Sequence, residues 1–366
     1  MNLSSIAQFI SRLKQLEEAE SCPDARIVYC VDPGKRALTN ASFLLGSYMV
    51  IKLGMAAKEV SDCFDWLDAS LAENFRDATF APPDFGLTLE DCWRALERAC
   101  SIGWVRMTAD GEYWGEINIL EYRHYDDPCN GDFHEVVPGK FIAFKGPKDL
   151  GGEAFRDDEA GERTFSPCHY ADIFAHDFNV TAVVRLNEAE YDGGAFEDRD
   201  IRHHHLEFDD CTCPPAHVAA AFLAAADAAI AAGGLVAVHC RAGLGRTGTL
   251  IALYLMRSCG FGAREAMGWL RIMRPGTVIG RQQRYLCRME SAWACLAGPG
   301  PDPPCDGGSA CAVAGGDASS ADCTDAAEPA ESDPELCWRL GEEVAAGAAR
   351  RAAVRLGTQR EGGQRA

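Results

Sequence analysis

The sequence predicts an α/β fold: a central, mostly parallel sheet flanked by helices, laid down as two successive copies with the first degenerate, and followed by a disordered tail. Three observations carry this prediction. Leu235-Val-Ala-Val-His239 is an unbroken apolar run, as expected of a strand covered on both faces. Strand and helix patterns alternate from Gly139 to Leu286, which is the signature of an α/β domain. One order of parts (strand, cysteine, loop, arginine, helix) occurs twice, from Arg26 to Leu53 and again from Leu235 to Arg257.

In chain order, Arg26-Ile-Val-Tyr-Cys30 reads as a strand, Val31 to Arg36 as a loop and Phe43 to Leu53 as an apolar helix. Lys140 to Phe144 and Val180 to Leu186 read as short buried strands. Pro214 to Ala232 reads as a helix, with proline near its start, alanine in its body and Gly233-Gly234 at its end. Gly248 to Cys259 and Ala263 to Met273 are the next helices, the second stopped ahead of Pro275. From Gly298 the chain is acidic and rich in Gly, Pro and Ala, too poor in apolar surface to offset the entropy of ordering. Within that tail, Cys337 to Arg355 reads as a short Ala-rich helix.

With 366 residues, 47% of them hydrophobic, the chain is long enough for two packed domains or one large one plus a tail. Its formal charge of −20 repels nucleic acid and anionic membranes and favours basic protein segments. The sequence holds no apolar run long enough to span a bilayer. Met1 to Glu20 is polar and ends in acids, unlike a secretory signal, so an intracellular protein is expected. Its 17 cysteines are scattered and most read as small buried hydrophobes; the close pair Cys211 and Cys213 lacks a second pair for zinc. His203-His204-His205 would alternate across a strand, so a structural role is expected, with no metal and no cofactor.

The chemistry concentrates in His239-Cys240-Arg241-Ala242-Gly243-Leu244-Gly245-Arg246-Thr247. A thiol and an arginine lie five intervening residues apart, between a buried strand and a helix start. Amides of Arg241, Ala242, Gly243, Leu244, Gly245 and Arg246 are expected to turn inward and, with the helix N-terminus, hold a phosphate. Gly243, Gly245 and Gly248 permit the tight backbone, and the Arg246 fork suits two phosphate oxygens. That field favours thiolate over thiol, so Cys240 is expected to attack phosphorus directly. Thr247 is placed to bond the sulfur as it leaves, and His239 to brace the loop. No Gly-Lys-Ser/Thr follows, which excludes a Walker nucleotide loop. An ester oxygen also needs a proton donor. Asp209 and Asp210 are both candidates, and a helix cap or solvated turn accounts for them equally well. A disulfide from Cys211 or Cys213 to Cys240 under oxidant is a lesser expectation.

At these residues the chain resembles the cell-division-cycle-fourteen family, the mitotic-exit dual-specificity phosphatases. The resemblance is carried by His239 to Ala252, Val137 to Phe141, Asn179 to Asn187, Arg274 to Gly280, the pair Gln282-Gln283, and, in the first copy, Lys35-Arg36 and Asn40 to Gly46. It runs in order from about Arg26 to Leu286. It implies tandem dual-specificity-phosphatase-like domains: a degenerate first at residues 1–115, a linker helix at 116–131, a catalytic domain at 132–297 and the tail at 298–366. It also implies that Asp210, rather than Asp209, is the general acid and that Gln282 and Gln283 position the hydrolytic water. The implied substrates are phosphoproteins, mainly phosphoserine followed by proline with a basic residue further on, and Ala242 stands near that proline. Glu121, Asp126 and Asp132 would form an acidic substrate groove, although Arg123 stands where the family has an acid. The implied setting is opposition to cyclin-dependent kinases, in the nucleus or cytoplasm or at spindle poles.

The departures are a short stretch before Arg26 and a divergent one from Asp91 to Glu116, so a shortened first copy is expected. Its own Cys30-to-Arg36 spacing contains Asp32, which repels phosphate, and Pro33, which removes an amide donor; it reads as a dead copy that shapes the groove. Two rivals remain. A phosphoinositide phosphatase would carry lysines where this loop has Arg241, Ala242 and Leu244. An idle phosphoprotein-binding module would bind without turnover.

Overall fold

A computed structural model describes residues 1–19, 26–79, 84–107 and 115–297. The expected tail and its Ala-rich helix lie outside them. The chain divides into two compact units, Met1–Arg288 and Met289–Ala366, and the cysteine loop lies in the first.

The first half of that unit is helical: α1 (Leu3–Ala19), α2 (Lys35–Ile51), α3 (Ala57–Cys63) and α4 (Leu89–Ser101). Helix α4 starts on a reciprocal cap in which the Thr88 hydroxyl accepts from the Asp91 amide at 3.2 Å while the Thr88 amide donates to Asp91 Oδ2 at 2.7 Å. Trp93 of α4 lies flush on Gly46 of α2, where a Cβ would come within 2.3 Å of the indole. The strand expected at Arg26–Cys30 is absent. Those residues are irregular and exposed, because no described strand precedes Phe133 to pair with them and an apolar run becomes a strand only against a neighbour. The two copies therefore differ in kind across the described residues. Helix α2 also begins eight residues before the expected Phe43.

After α5 (Ile119–Asp126) come β1 (Phe133–Val137), β2 (Phe141–Phe144), the hairpin β3 (Phe155–Asp157) and β4 (Arg163–Phe165), α6 (Pro167–His176), β5 (Val180–Arg185), α7 (Gly194–Glu197), β6 (Arg202–His205), α8 (Ala216–Ala231), β7 (Leu235–His239) and α9 (Gly245–Tyr254). A π turn, Leu255–Cys259, ends α9 and is closed by left-handed Gly260; α10 (Ala263–Met273) and α11 (Arg281–Ala297) follow. The main sheet runs β1-β2-β7-β5-β6, with β1 antiparallel and the other pairs parallel. Strand β7 is thus central, with His239 level with Phe144 on one side and Arg185 on the other. Under α6, the rings of Phe133, Phe144 and Phe174 meet edge to face at 5.0–5.4 Å. Helix α10 joins the halves: Gly268 lets its backbone approach Asp91 and Cys92 of α4, and Trp269 meets Trp104 at 5.4 Å.

The cysteines correct another expectation. Among the described residues all are free, and Cys92 and Cys240 alone are buried.

Candidate active site

Strand β7 ends at His239 and delivers Cys240, 3% exposed, to the centre of the sheet's C-terminal edge. The chain must then turn sharply into α9. Gly243 makes that turn at φ 69, with its α-carbon so close to β2 that a Cβ would fall 2.0 Å from the Phe144 carbonyl oxygen. Only glycine fits both demands. The six residues expected to hold phosphate, Arg241 to Arg246, form this loop and the first turn of α9.

Arg246 is 2% exposed. Its Nη1 donates to the carbonyls of Leu186, at the end of β5, and Phe208, at 3.2 and 2.9 Å. Its Nε lies 3.2 Å from Asp210 Oδ1, an ion pair without the alignment of a hydrogen bond, and is a buried polar atom with no hydrogen-bond partner. The Thr247 hydroxyl is a second such orphan. Unsatisfied buried polar atoms are rare and mark strain or a place for a ligand; here two flank the cysteine loop. Asp210 is solvent-facing, its side chain 60% exposed, and its Oδ1 accepts from the Cys211 amide at 2.9 Å. Neighbouring Asp209 serves through its carbonyl, which caps the turn to Thr212.

The turn bearing Asp210 is tied to α11. Arg281 donates to the Cys211 carbonyl at 3.1 Å, and Gln282 Nε2 to that of Thr212 at 2.9 Å. The Gln282 Oε1 would lie 3.0 Å from a Cβ at Gly245. Asp210, Gln282 and the loop are therefore neighbours. Gln283 turns to a different set, accepting from Arg271 at 2.5 Å and donating to Asp77 at 3.1 Å.

Two buried supports hold the loop: His239, expected to brace it, does so with Tyr191 behind it, while Arg274 is given no role by the sequence. His239 Nδ1 lies 3.0 Å from the Cys240 carbonyl, which can only accept, so Nδ1 carries the proton. Its Nε2 then accepts from Tyr191, 2.6 Å away, whose oxygen in turn accepts from His203 Nε2 at 3.0 Å. Burial lowers His239 to about 3 and His203 to about 4, so this chain is neutral and braces the loop. His205 has separate partners, Arg185 and Glu207. The second support is Arg274, 4% exposed. Nε donates to the Gly243 carbonyl at 3.0 Å, and Nη2 to that of Ala242 at 3.0 Å and to Asp132 Oδ1 at 2.9 Å. Nη1 serves the Asp132 carbonyl and His134 Nδ1, both at 3.1 Å. These five acceptors match the five N–H groups of a guanidinium. Arg274 stood in the sequence beside a helix-ending Pro-Gly, with no local cue to its target.

The acids expected in a substrate groove do not converge. Asp126 accepts from Asn2 at 2.9 Å and meets His134 Nε2 at 2.9 Å. Burial opposes its charge, yet these bonds bring its carboxyl below the usual range. Asp132 is paired with Arg274. Glu121 lines a small pocket with Glu135, Tyr125 and Phe178, and burial together with Asp177 raises its carboxyl. Arg123 donates to Ser4 in α1 at 3.1 Å. In the first half, Cys30 is exposed and Lys35 and Arg36 border an open surface recess.

Residues 1–99 match the family described as "Dual specificity protein phosphatase, N-terminal half", and residues 164–292 match "Dual specificity phosphatase, catalytic domain". The chain is 36% identical over 294 residues to the dual specificity protein phosphatase CDC14C of Symphalangus syndactylus, covering 80% of this chain and 57% of that protein. It is 35% identical to CDC14B of Mus musculus over the same shares, and 36% identical to CDC14A of Homo sapiens, covering 78% of this chain and 46% of that one. It thus spans roughly half the length of these curated relatives. Across both halves and through the cysteine loop, the chain belongs to the CDC14 family of dual-specificity protein phosphatases.

Proposed function

We propose that this chain hydrolyses phosphoserine, phosphothreonine or phosphotyrosine on proteins through a phosphocysteine intermediate. The observation that carries the reading is the meeting of buried Cys240, the orphaned Nε of Arg246 and the exposed carboxylate of Asp210 at one loop. Cys240 attacks phosphorus as the thiolate while the amides of Arg241 to Arg246 and the Arg246 fork hold the oxygens. Asp210 protonates the leaving oxygen. A water oriented by Gln282 then attacks the phosphocysteine, giving its proton to Asp210, while Gln283, turned to Arg271 and Asp77, holds the same stretch of chain. Thr247 bonds the departing sulfur.

The favoured substrate is phosphoserine followed by proline, with Ala242 beside the proline. Of the linker-side acids, Asp132 stays 27% exposed beside Arg274 and is the one left to meet a basic residue of the substrate. The corresponding role is opposition to cyclin-dependent kinases in the nucleus or at spindle poles. Among the described residues no helix is long and apolar enough to cross a membrane.

The test is turnover of an aryl phosphate, of phosphoserine-proline and phosphoserine-alanine peptides, and of a phosphoinositide. Native protein should favour the proline peptide. Cys240→Ser should be inert and Asp210→Ala slowed about 10²–10⁴-fold, the usual range for a general acid. Lipid turnover above peptide turnover, or peptide binding without turnover, would overturn the reading.

A further inference from the structure

The stretch that carries Gln282 is held from the opposite half of the chain. Between the end of α10 and the start of α11, Val278 sits at φ 61 although it is β-branched and fully buried. A β-branched residue keeps such a backbone only where its surroundings over-determine it. Arg271 supplies part of that constraint from within α10, donating to the carbonyls of Thr277 at 2.9 Å and Val278 at 3.0 Å.

The remainder comes from residues 75–79. Arg271 Nη1 reaches the Phe75 carbonyl at 2.5 Å, and the Ala78 amide donates to the Gly276 carbonyl at 3.2 Å. Asp77 is the grip. Its Oδ2 accepts from the Gly280 amide at 2.9 Å and from Gln283 Nε2 at 3.1 Å, while its Oδ1 accepts from the amide and hydroxyl of Thr79 at 3.1 and 2.6 Å. Burial opposes the charge on Asp77, but these bonds and Arg271 hold its carboxyl below the usual range. Gln282 is built on the same short stretch: its amide donates to the Ile279 carbonyl and its Oε1 accepts from the Ile279 amide, both at 3.1 Å.

We propose that Asp77 is a positioning residue for hydrolysis of the phosphocysteine: by fixing the backbone at Gly280 it aims Gln282 at the attacking water. The proposal rests on the role given to Gln282 above. In that step the water oxygen bonds to phosphorus as the phosphorus–sulfur bond breaks. The electron pair returns to Cys240 and the proton passes to Asp210. None of the bonds recorded for Asp77 goes to the cysteine loop or to Asp210, so the first step should proceed without it. The half that lacks the reacting cysteine thereby acts on the second step of the reaction.

The experiment compares native protein with Asp77→Ala, Asp77→Asn and Gln282→Ala on an aryl phosphate, with melting temperatures for each. For Asp77→Ala, kcat and KM should fall together, each about tenfold, leaving kcat/KM unchanged, because kcat/KM reports the first step. Rapid mixing should show a burst of aryl alcohol near one per enzyme, as in Gln282→Ala. Asp77→Asn keeps one carbonyl oxygen and should show the same split more weakly, and it decides the matter if the alanine form does not fold. A burst in Gln282→Ala but in neither Asp77 variant overturns the proposal alone. A fall in kcat/KM that tracks lost melting temperature overturns it in favour of a merely structural role. Absence of a burst in Gln282→Ala itself overturns the reading of Gln282 and, with it, this one.

Discussion

Arg274 shows how one buried side chain can aim backbone donors it never touches. The Ala242 carbonyl belongs to the same peptide unit as the Gly243 amide, and the Gly243 carbonyl to that of the Leu244 amide. Donating to both carbonyls turns both amides the opposite way, because N–H and C=O of one peptide are antiparallel. A lysine has no planar fork to serve both. Arg274→Lys should therefore lower kcat about 10²–10³-fold, the loss typical of one misplaced oxyanion donor, and weaken tungstate binding in parallel, read by titration calorimetry. His239 gives a pH prediction. The folded protein holds it neutral to about pH 3 because burial opposes its charge, whereas the unfolded chain takes up that proton near pH 6.5. Stability contributed by the neutral ring is present above pH 6.5 and is lost as pH falls towards 3, by up to about 1.4 kcal/mol per pH unit. Urea midpoints at pH 7 and pH 4.5 should differ less for His239→Asn than for native protein.

Among the elements, the turn from β7 into α9 and the α2–α4 contact each depend on an absent side chain, with different consequences. Gly243→Ala would press a methyl onto the Phe144 carbonyl at a positive φ, so the loop must open. Turnover should fall below a hundredth of native even at a temperature where circular dichroism shows the chain folded. Gly46→Ala would drive a methyl into Trp93, in the contact between α2 and α4. Overpacking of this kind costs about 1–3 kcal/mol. The melting temperature should drop, while kcat per folded molecule stays native.

For the whole molecule, the question is why a first half without the reacting cysteine is kept. Arg98 of α4 donates to the Cys259 carbonyl at 2.8 Å, Asp91 pairs with Arg264 at 2.7 Å, and Trp104 stacks on Phe261. With Asp77, these place helix caps, aromatic packing and the glutamine-bearing stretch of the second half against the first. Residues 1–288 should therefore unfold in one calorimetric transition. A chain reduced to residues 115–297 should aggregate or melt well below it, because α10 would expose Trp269 and its neighbours. Two separate transitions, or a stable and soluble short chain, would contradict this.

The sequence by itself determined the cysteine loop and the helices α8 and α10, because each is written in adjacent residues: an apolar run, a glycine spacing, a proline or glycine stop; between Asp209 and Asp210 the residues left the choice open. Only the tertiary structure decided the rest. Ile27, Val28 and Tyr29 are as apolar as a strand needs, yet stay irregular because strand formation is completed by a partner and the described chain offers them none. Asp126 and Asp132 read as surface acids, but their carboxylates meet His134 and Arg274 through contacts set by how α5 lies against β1. Tyr191, Asp77 and Arg274 could not be singled out, since their targets lie 48, 203 and 31 residues away. Short-range order follows from neighbouring side chains and backbone limits; a hydrogen bond closed over hundreds of residues exists only once the chain between has folded.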